Sequence, residues 1–160
     1  MPYTPIVATL GYVLSPDRHQ VLMIHRNARA GDQHLGKYNG LGGKLEPGES
    51  PEECLRREVR EESGLVVLEA RYKGLITFPD FDGEDDWYVW VYLVTRFLGE
   101  PASGPEGELE WVDTDRLADL PLWEGDRHFL PWLDEPGVFS AVFRYAQGRF
   151  VGYEVERYAG

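Results

Sequence analysis

One charged helix, whose two ends both carry recognisable capping residues, constrains the fold of this chain more than any other feature. Ser50 can cap the helix N-terminus, and Glu53 three residues later completes a capping box. Pro51 falls at the first helical position, where proline is favoured. Gly64 supplies the left-handed residue that commonly ends a helix. We therefore predict a helix over residues 50–63.

This helix has little apolar surface and many acidic side chains. Leu55 and Val59, four residues apart, form its narrow apolar stripe. Glu58 and Glu62 lie one turn apart, with Glu61 beside them on the same face. Like charges at this spacing repel, and a hard divalent cation with oxygen ligands would relieve the repulsion. A solvated acidic face is the alternative that helix geometry leaves open.

Residues next to the acidic face could complete a metal site. Arg57 precedes Glu61 by four residues and can pair with it or with Glu49, which would orient a carboxylate. Gly42 and Gly43 leave bare backbone just upstream of the helix, where a carbonyl could supply a further ligand. The segment around residues 42–62 is therefore our candidate for the chemistry of this chain.

Short apolar and β-branched runs on both sides of the helix predict a sheet. Turn signals at residues 15–17 and 146–148 predict two hairpins. The predicted strands cover residues 7–14, 20–24, 65–73, 86–95, 109–112, 138–145 and 149–156. Strands on both sides of a charged helix indicate a mixed α/β or α+β class, and the length of 160 residues indicates one domain, residues 1–160.

Three other segments complete the predicted organisation. Residues 115–120 and 126–133 are short helix candidates, the second with Asp126 as its N-cap and with Pro131 limiting or kinking it. The polar, glycine-rich segment 27–41 has no clear period and is expected to be a loop that passes close to a ligand or to other backbone.

The charge balance limits the partners of the chain. It carries 16 Lys and Arg against 28 Asp and Glu, a net charge of −12. Because polyanions are bound through Lys and Arg, we expect no nucleic acid polymer and no membrane as partner, whereas a small nucleotide with a divalent metal remains compatible. The lone Cys54, no signal-peptide pattern in residues 1–10, and no apolar run longer than residues 87–94 predict a cytoplasmic protein.

The spacing of the glycines and acids repeats a known pattern. It reads Gly, five residues, Glu, seven residues, Arg-Glu, an aliphatic residue, one residue, Glu-Glu, one residue, Gly and an aliphatic residue. Its nine fixed positions are filled by Gly43, Glu49, Arg57, Glu58, Val59, Glu61, Glu62, Gly64 and Leu65. At ordinary residue frequencies a chance match at a given start is below about one in 10⁸. The chain therefore resembles the Nudix hydrolases, which implies the Nudix fold, an α/β/α sandwich with a mixed β-sheet.

Resemblance to this family implies hydrolysis of a nucleoside diphosphate linked to a further group. It implies that the Gly43 carbonyl, Glu58 and Glu62 hold Mg²⁺ or Mn²⁺, with Glu61 as a further ligand or as a proton acceptor. Arg57 would orient these catalytic carboxylates. Such a metal neutralises phosphate charge and acidifies bound water, which are its recurring roles in phosphoryl transfer.

Residues outside the motif resemble the MutT-like branch that hydrolyses oxidised purine nucleoside triphosphates. The resemblance implies that Asn39 reads the purine edge, for which an amide offers both a donor and an acceptor. It further implies that Trp123 stacks on the base and that Asp126 reads its edge. Gly125 departs from the branch, which has an Asp there. Glu106 matches an acidic loop residue that adds a metal contact or activates water.

Four further residues fall at substrate-binding positions of that branch. Thr9 and Phe78 match its base pocket, Arg26 falls where the branch has a Lys, and we expect Arg26 and Lys44 near the phosphates. Each of these assignments has a structural alternative, such as a helix cap for Asp126.

Three functions follow as hypotheses. The first is hydrolysis of oxidised purine (deoxy)nucleoside triphosphates such as 8-oxo-dGTP to monophosphate and pyrophosphate, a sanitation role that supports DNA repair. The second keeps the enzyme but takes ADP-ribose, a dinucleoside polyphosphate or another nucleotide conjugate, which Gly125 leaves open. The third is a non-catalytic nucleotide sensor, which would not need the intact acidic motif. We expect a monomer or a weak homodimer.

Overall fold

Helix α1 spans Pro51–Ser63, where the sequence predicts a helix. The structure is a computed structural model that describes residues 1–26, 36–105 and 107–159. Ser50 Oγ accepts a hydrogen bond from the Glu53 N–H at 3.1 Å, and Glu53 Oε1 accepts one from the Ser50 N–H at 3.0 Å. Gly64 follows in the left-handed conformation with φ of 81°. The predicted capping box and glycine stop are confirmed.

The sheet beside this helix is mixed. Nine strands of the described residues form it: β1 Ile6–Leu14, β2 Gln20–His25, β3 Tyr38–Asn39, β4 Leu41–Lys44, β5 Val66–Phe78, β6 Trp87–Leu98, β7 Glu108–Asp113, β8 Val138–Ala146 and β9 Arg149–Tyr158. Their order is β3-β2-β1-β6-β5-β8-β9, with β4 also paired to β1 and β7 to β2. The pairs β1–β6 and β5–β8 are parallel, and the other pairs are antiparallel.

Adjacent residues of β1 join two apolar layers on opposite faces of the sheet. Val13 packs in a cluster with Leu55 of α1. Tyr12 packs in the other cluster with Phe129 of helix α2, Glu124–Phe129. Because side chains alternate between faces along a strand, the two helices cover opposite faces. The predicted α+β sandwich of helices around a mixed sheet is confirmed.

Both predicted hairpins form. Strands β1 and β2 pair across the turn at residues 15–17, with Leu14 opposite Val21. Strands β8 and β9 meet at a two-residue turn, Gln147 and Gly148, whose φ angles are 53° and 78°. Two successive positive φ values are the geometry that matches the twist of paired strands.

The second helix begins earlier than predicted, and Asp126 is not its cap. Trp123 is the N-cap, with φ of −59° and ψ of 137°, and it has no side-chain capping bond. Asp126 lies in the first turn, where its N–H donates to the Trp123 carbonyl at 3.0 Å. The N-cap prediction for Asp126 was therefore wrong, and the carboxyl is buried instead. The α-helix ends at Phe129, two residues before Pro131, and a 3₁₀ helix, Leu130–Asp134, continues the path, which agrees with the prediction that Pro131 limits or kinks the helix.

Other boundaries also differ from the prediction. Strand β5 continues to Phe78 rather than ending at residue 73. The predicted helix at 115–120 is a 3₁₀ helix, Thr114–Asp119. Of the predicted loop 27–41, residues 27–35 lie outside the described part, and strands β3 and β4 occupy half of residues 36–41. Across 1–26, 36–105 and 107–159, no helix is long and apolar enough to cross a membrane.

Candidate active site

Strand β4 brings two glycines against the acidic face of α1. Glu62 Oε1 accepts a hydrogen bond from the Gly42 N–H at 2.8 Å, and Glu62 is buried. A Cβ atom on Gly43 would lie 2.6 Å from the carboxylate carbon of Glu58, closer than side chains tolerate. Gly43 therefore has to be glycine for Glu58 to keep its place. Two carboxylates of one helix face thus lie against the same two residues of backbone.

Arg57 connects the carboxylates of this face. Its Nε donates to Glu49 Oε2 at 2.7 Å and its Nη2 donates to Glu49 Oε1 at 2.9 Å. Its Nη1 lies 2.8 Å from Glu58 Oε1 and 3.3 Å from Glu61 Oε2. The hydrogen bonds from Arg57, with one from the Glu46 N–H, hold the pKa of Glu49 down at about 2. Glu49 is therefore ionised at neutral pH and fixes the guanidinium.

The oxygen atoms around Gly43 fit a hard divalent cation. The Gly43 carbonyl faces α1, where Cys54 Sγ lies 3.4 Å from it, and the Glu58 carboxylate packs on the same residue. Carboxylate and carbonyl oxygens are the ligands that Mg²⁺ takes in proteins. Glu61, whose side chain is 59% exposed, stands next to this set. Glu106, the further predicted ligand, lies outside the described residues.

The acidic side chains do not converge into a metal centre by themselves. Within the described part of the chain, no three His, Cys, Asp or Glu side chains lie close enough together to hold one ion. Glu58 and Glu61 contact Arg57, and Glu62 contacts Gly42 and lies 4.0 Å from Arg26 Nη2. Metal binding would therefore exchange some of these contacts for metal–oxygen bonds.

A cavity of about 260 Å³ opens beside the same glycines. It lies on the α2 side of β1, and its walls include both apolar and polar side chains. Gly43 lines this cavity. So does every residue that the sequence predicted for substrate binding, namely Thr9, Arg26, Asn39, Lys44, Phe78, Trp123 and Asp126. The structure thus brings together residues that are widely separated in the sequence.

Asn39 lines this cavity and carries an unused donor. Its Nδ2 atom is buried and has no hydrogen-bond partner among the residues that the structure describes. Buried polar groups are normally hydrogen-bonded, so this donor is available to a ligand that brings an acceptor. Thr9 also lines the cavity, but its hydroxyl already has a partner. The hydroxyl oxygen lies 3.3 Å from Cys54 Sγ on α1.

Asp126 is the buried carboxyl of the cavity. Burial raises its pKa to about 7, and the positive charges of Lys37 and Arg127 oppose this shift. The acid and the carboxylate are therefore both populated near neutral pH. A protonated carboxyl donates a hydrogen bond and an ionised one only accepts, so this group can serve either need of a bound base.

Trp123 is held among aromatic rings and below a cation. Phe81 and Tyr145 meet it edge to face, at centroid distances of 5.0 and 5.7 Å. Lys37 Nζ lies 4.8 Å from the centre of its ring. Phe78 belongs to the same aromatic group, 5.5 Å from Phe81. The indole is therefore half-buried in a rigid apolar wall of the cavity.

Sequence reasoning missed several lining residues. Phe81, Trp87 and Tyr145 line the cavity, and Lys37 lies over Trp123. The alternation of buried residues along β8 points Tyr145 inward, but that pattern marks core residues equally well. The signal that could have found Tyr145 was Gly125, a departure from the MutT-like pattern, because these two residues are in contact.

The fold and the acidic face define the class of this protein. The family described as the NUDIX domain matches residues 4–133, and the chain belongs to this family of hydrolases. The Danio rerio oxidized purine nucleoside triphosphate hydrolase is 33% identical over 144 residues, 89% of this chain and 88% of that one. The Mus musculus enzyme of the same name is 31% identical over 137 residues, 86% and 85% of the two chains.

Solved structures give the same result for the fold. The crystal structure of a MutT protein from Bacillus halodurans superposes with a TM-score of 0.83 at 27% identity, covering 94% of this chain and 97% of that one. Among relatives found by sequence, the Escherichia coli 8-oxo-dGTP diphosphatase is 37% identical over 87 residues, 52% of this chain and 64% of the enzyme. The chain is similar to MutT-type proteins over most of its length.

Proposed function

We propose that this Nudix hydrolase acts on oxidised purine (deoxy)nucleoside triphosphates such as 8-oxo-dGTP, releasing monophosphate and pyrophosphate with Mg²⁺ or Mn²⁺. The observation that carries the proposal is that one cavity is lined by Asn39, Trp123 and Asp126 together with Gly43. We name the part of its lining formed by the first three residues the base end, and the part formed by Gly43 with Arg26 and Lys44 the phosphate end. The printed names of the Danio rerio and Mus musculus relatives support the same substrate class. We place this activity in the cytoplasm, in a monomer or weak homodimer.

The base end of the cavity supplies stacking and edge contacts. Trp123 offers an indole held by Phe81 and Tyr145, which suits an aromatic base. Asn39 offers an unpartnered amide donor within the described structure, and Asp126 offers a donor or an acceptor according to its protonation. A purine edge carries both kinds of group, so these side chains can bind it in one orientation.

The phosphate end of the cavity supplies positive charge and a proton acceptor. Arg26 and Lys44 line the cavity and would bind phosphate oxygens. These two cations would offset the repulsion that phosphates meet from a chain with an overall net charge of −12. A divalent cation held by Glu58, Glu62 and the Gly43 carbonyl would neutralise phosphate charge and acidify water. Arg57 keeps Glu58 and Glu61 in place, and the exposed Glu61 accepts the proton of the attacking water.

A second substrate class is favoured by one observation. Gly125 stands at a base-reading position where the MutT-like pattern has an acid, so the base end of this cavity differs from that pattern. ADP-ribose or a dinucleoside polyphosphate is the alternative substrate. It would use the same acidic face of α1.

A substrate panel tests the proposal. Hydrolysis of 8-oxo-dGTP, dGTP, ADP-ribose and diadenosine tetraphosphate is compared with Mg²⁺ present, and the products are identified. Preferential formation of 8-oxo-dGMP and pyrophosphate supports the proposal. Preference for ADP-ribose or the dinucleotide overturns the substrate and retains the hydrolase, whereas no turnover of any of them favours a nucleotide sensor.

The metal assignment is tested by replacing one carboxylate. Glu58→Gln removes a charge from the proposed metal set, and turnover is expected to fall by orders of magnitude with the fold intact. Glu53→Gln is the matched control on the same helix, because Gln also completes a capping box. Its turnover should stay near that of the unmodified chain. Equal activity in both variants would contradict the assignment of Glu58.

A further inference from the structure

Gly125 contacts Tyr145, and Tyr145 lines the cavity. A Cβ atom on Gly125 would lie 2.8 Å from the Tyr145 hydroxyl and 2.8 Å from Cδ2 of Phe143. Both distances are shorter than side-chain atoms tolerate, so Tyr145 in this position requires glycine at 125. The departure from the MutT-like pattern at Gly125 therefore comes with a second residue that occupies the space.

The Tyr145 hydroxyl is partly satisfied in a way that leaves its proton available. Its oxygen accepts a hydrogen bond from the Gly125 N–H at 2.7 Å. Among residues 1–26, 36–105 and 107–159, no acceptor is found for the hydroxyl proton. Burial raises the pKa of this phenol above its ordinary value, so the proton stays on at neutral pH. A buried phenol of this kind can donate one hydrogen bond to a bound ligand.

The position of the ring makes the substrate the natural acceptor. Tyr145 is 7% exposed and lines the same cavity as Asn39 and Asp126. Its ring is fixed edge to face against Trp123 and Phe81, at 5.7 and 5.2 Å. The phenol ring is therefore held by two neighbouring rings and its oxygen by one backbone N–H, so the hydroxyl oxygen keeps a fixed position beside the cavity.

We propose that Tyr145 determines base specificity, donating its hydroxyl proton to a carbonyl oxygen of the bound purine. The inference rests on the proposed function, since it assigns a residue to the base end of the same cavity. A site built to hydrogen-bond one group discriminates against an analogue that lacks it, because the buried partner is then left unpaired. The carbonyl stands at ring position 6 or at position 8, and the two are separated by experiment.

Two substrate pairs isolate these positions. The triphosphates dITP and dATP exchange the 6-carbonyl for a 6-amino group, and 8-oxo-dGTP and dGTP differ at position 8. For each pair the ratio of kcat/KM is measured in the unmodified chain and in Tyr145→Phe. Loss of the Gly125 partner affects all four substrates alike and cancels in the ratio. Tyr153→Phe, on the neighbouring strand and outside the cavity, is the matched control.

In at least one pair, we expect the unmodified chain to prefer the member that bears the carbonyl. This preference should fall about tenfold in Tyr145→Phe and should be retained in Tyr153→Phe. Gly125→Ala, which pushes on the hydroxyl without removing it, should reduce the same preference. Hydrolysis with no preference in either pair, or a preference unchanged in Tyr145→Phe, overturns the inference and leaves the hydrolase intact. Failure of the unmodified chain to hydrolyse any of the four overturns the proposed function and this inference together.

Discussion

Arg57 binds Glu49 through two parallel hydrogen bonds, with Nε 2.7 Å from Oε2 and Nη2 2.9 Å from Oε1. This fork leaves Nη1 beside Glu58 and Glu61, at 2.8 and 3.3 Å. One guanidinium therefore sets the positions of three carboxylates. Planar, two-pronged recognition of this kind is available to Arg and not to Lys.

Arg57→Lys should therefore lower kcat while the fold is kept. The lysine retains the charge but cannot bind Glu49 with two bonds and reach Glu58 as well, so the catalytic carboxylates lose their orientation. Removing such supporting contacts typically costs about 10–100-fold in metal affinity or activity. Mn²⁺ affinity by calorimetry and kcat by pyrophosphate release measure the loss.

Arg56→Lys is the matched control for this prediction, because Arg56 precedes Arg57 on the helix and is exposed. It should leave both quantities unchanged. The orienting role of Arg57 is refuted if Arg57→Lys keeps the kcat and Mn²⁺ affinity of the control.

Gly43→Ala should disturb the same site from the other side. The added methyl would lie 2.6 Å from the Glu58 carboxylate carbon, so Glu58 has to move away from the Gly43 carbonyl. A displacement of about 1 Å at a reacting site can cost about 100-fold in rate. We expect a fall in kcat/KM of that order, measured on the substrate that the panel identifies.

The control for the added methyl group is Gly152→Ala. Gly152 lies in β9, where a Cβ atom would meet no atom within 4 Å among the described residues. Activity and melting temperature should both remain close to those of the unmodified chain. Unchanged kcat/KM in Gly43→Ala would show that Glu58 is not confined by this glycine.

The acidic face was predictable from sequence because its determinants are local. The cap at Ser50, the stop at Gly64 and the one-turn spacing of Glu58 and Glu62 fix which side chains share a helix face before any tertiary contact forms. Antiparallel strands joined by a short turn were predictable for the same reason, as the hairpin turn at Gln147 shows.

The rest depends on contacts between distant segments. Asp126 reads in sequence as an N-cap, and only its burial against the rest of the fold shows a carboxyl with a pKa raised to about 7. Tyr145 becomes part of the site because it contacts Gly125, twenty residues away. The parallel pairing of β1 with β6, which places the cavity-lining residues Ala8 and Val89 side by side, likewise has no local signal. The cavity residues were named from family resemblance, and their roles stay predictions.

The raised pKa of Asp126 has a consequence for stability. Burial raises it to about 7 in the folded chain, whereas an exposed Asp titrates near 3.9. Between about pH 4 and 7 the folded chain therefore holds a proton that the unfolded chain has lost. The contribution of this group to the free energy of unfolding is largest at the acidic end of that window and is lost as the pH rises through about 7.

Asp126→Asn should remove this pH dependence, because the amide stays neutral. Between pH 5 and pH 8 the free energy of unfolding of the unmodified chain should fall by up to about a few kcal/mol more than that of the variant. Urea unfolding at both pH values measures the difference. Asp119→Asn replaces an exposed acid and should leave the slope between the two pH values as it is in the unmodified chain. An identical slope in Asp126→Asn and the unmodified chain would mean that Asp126 is ionised throughout, and that the cavity presents a carboxylate rather than a proton donor to the base.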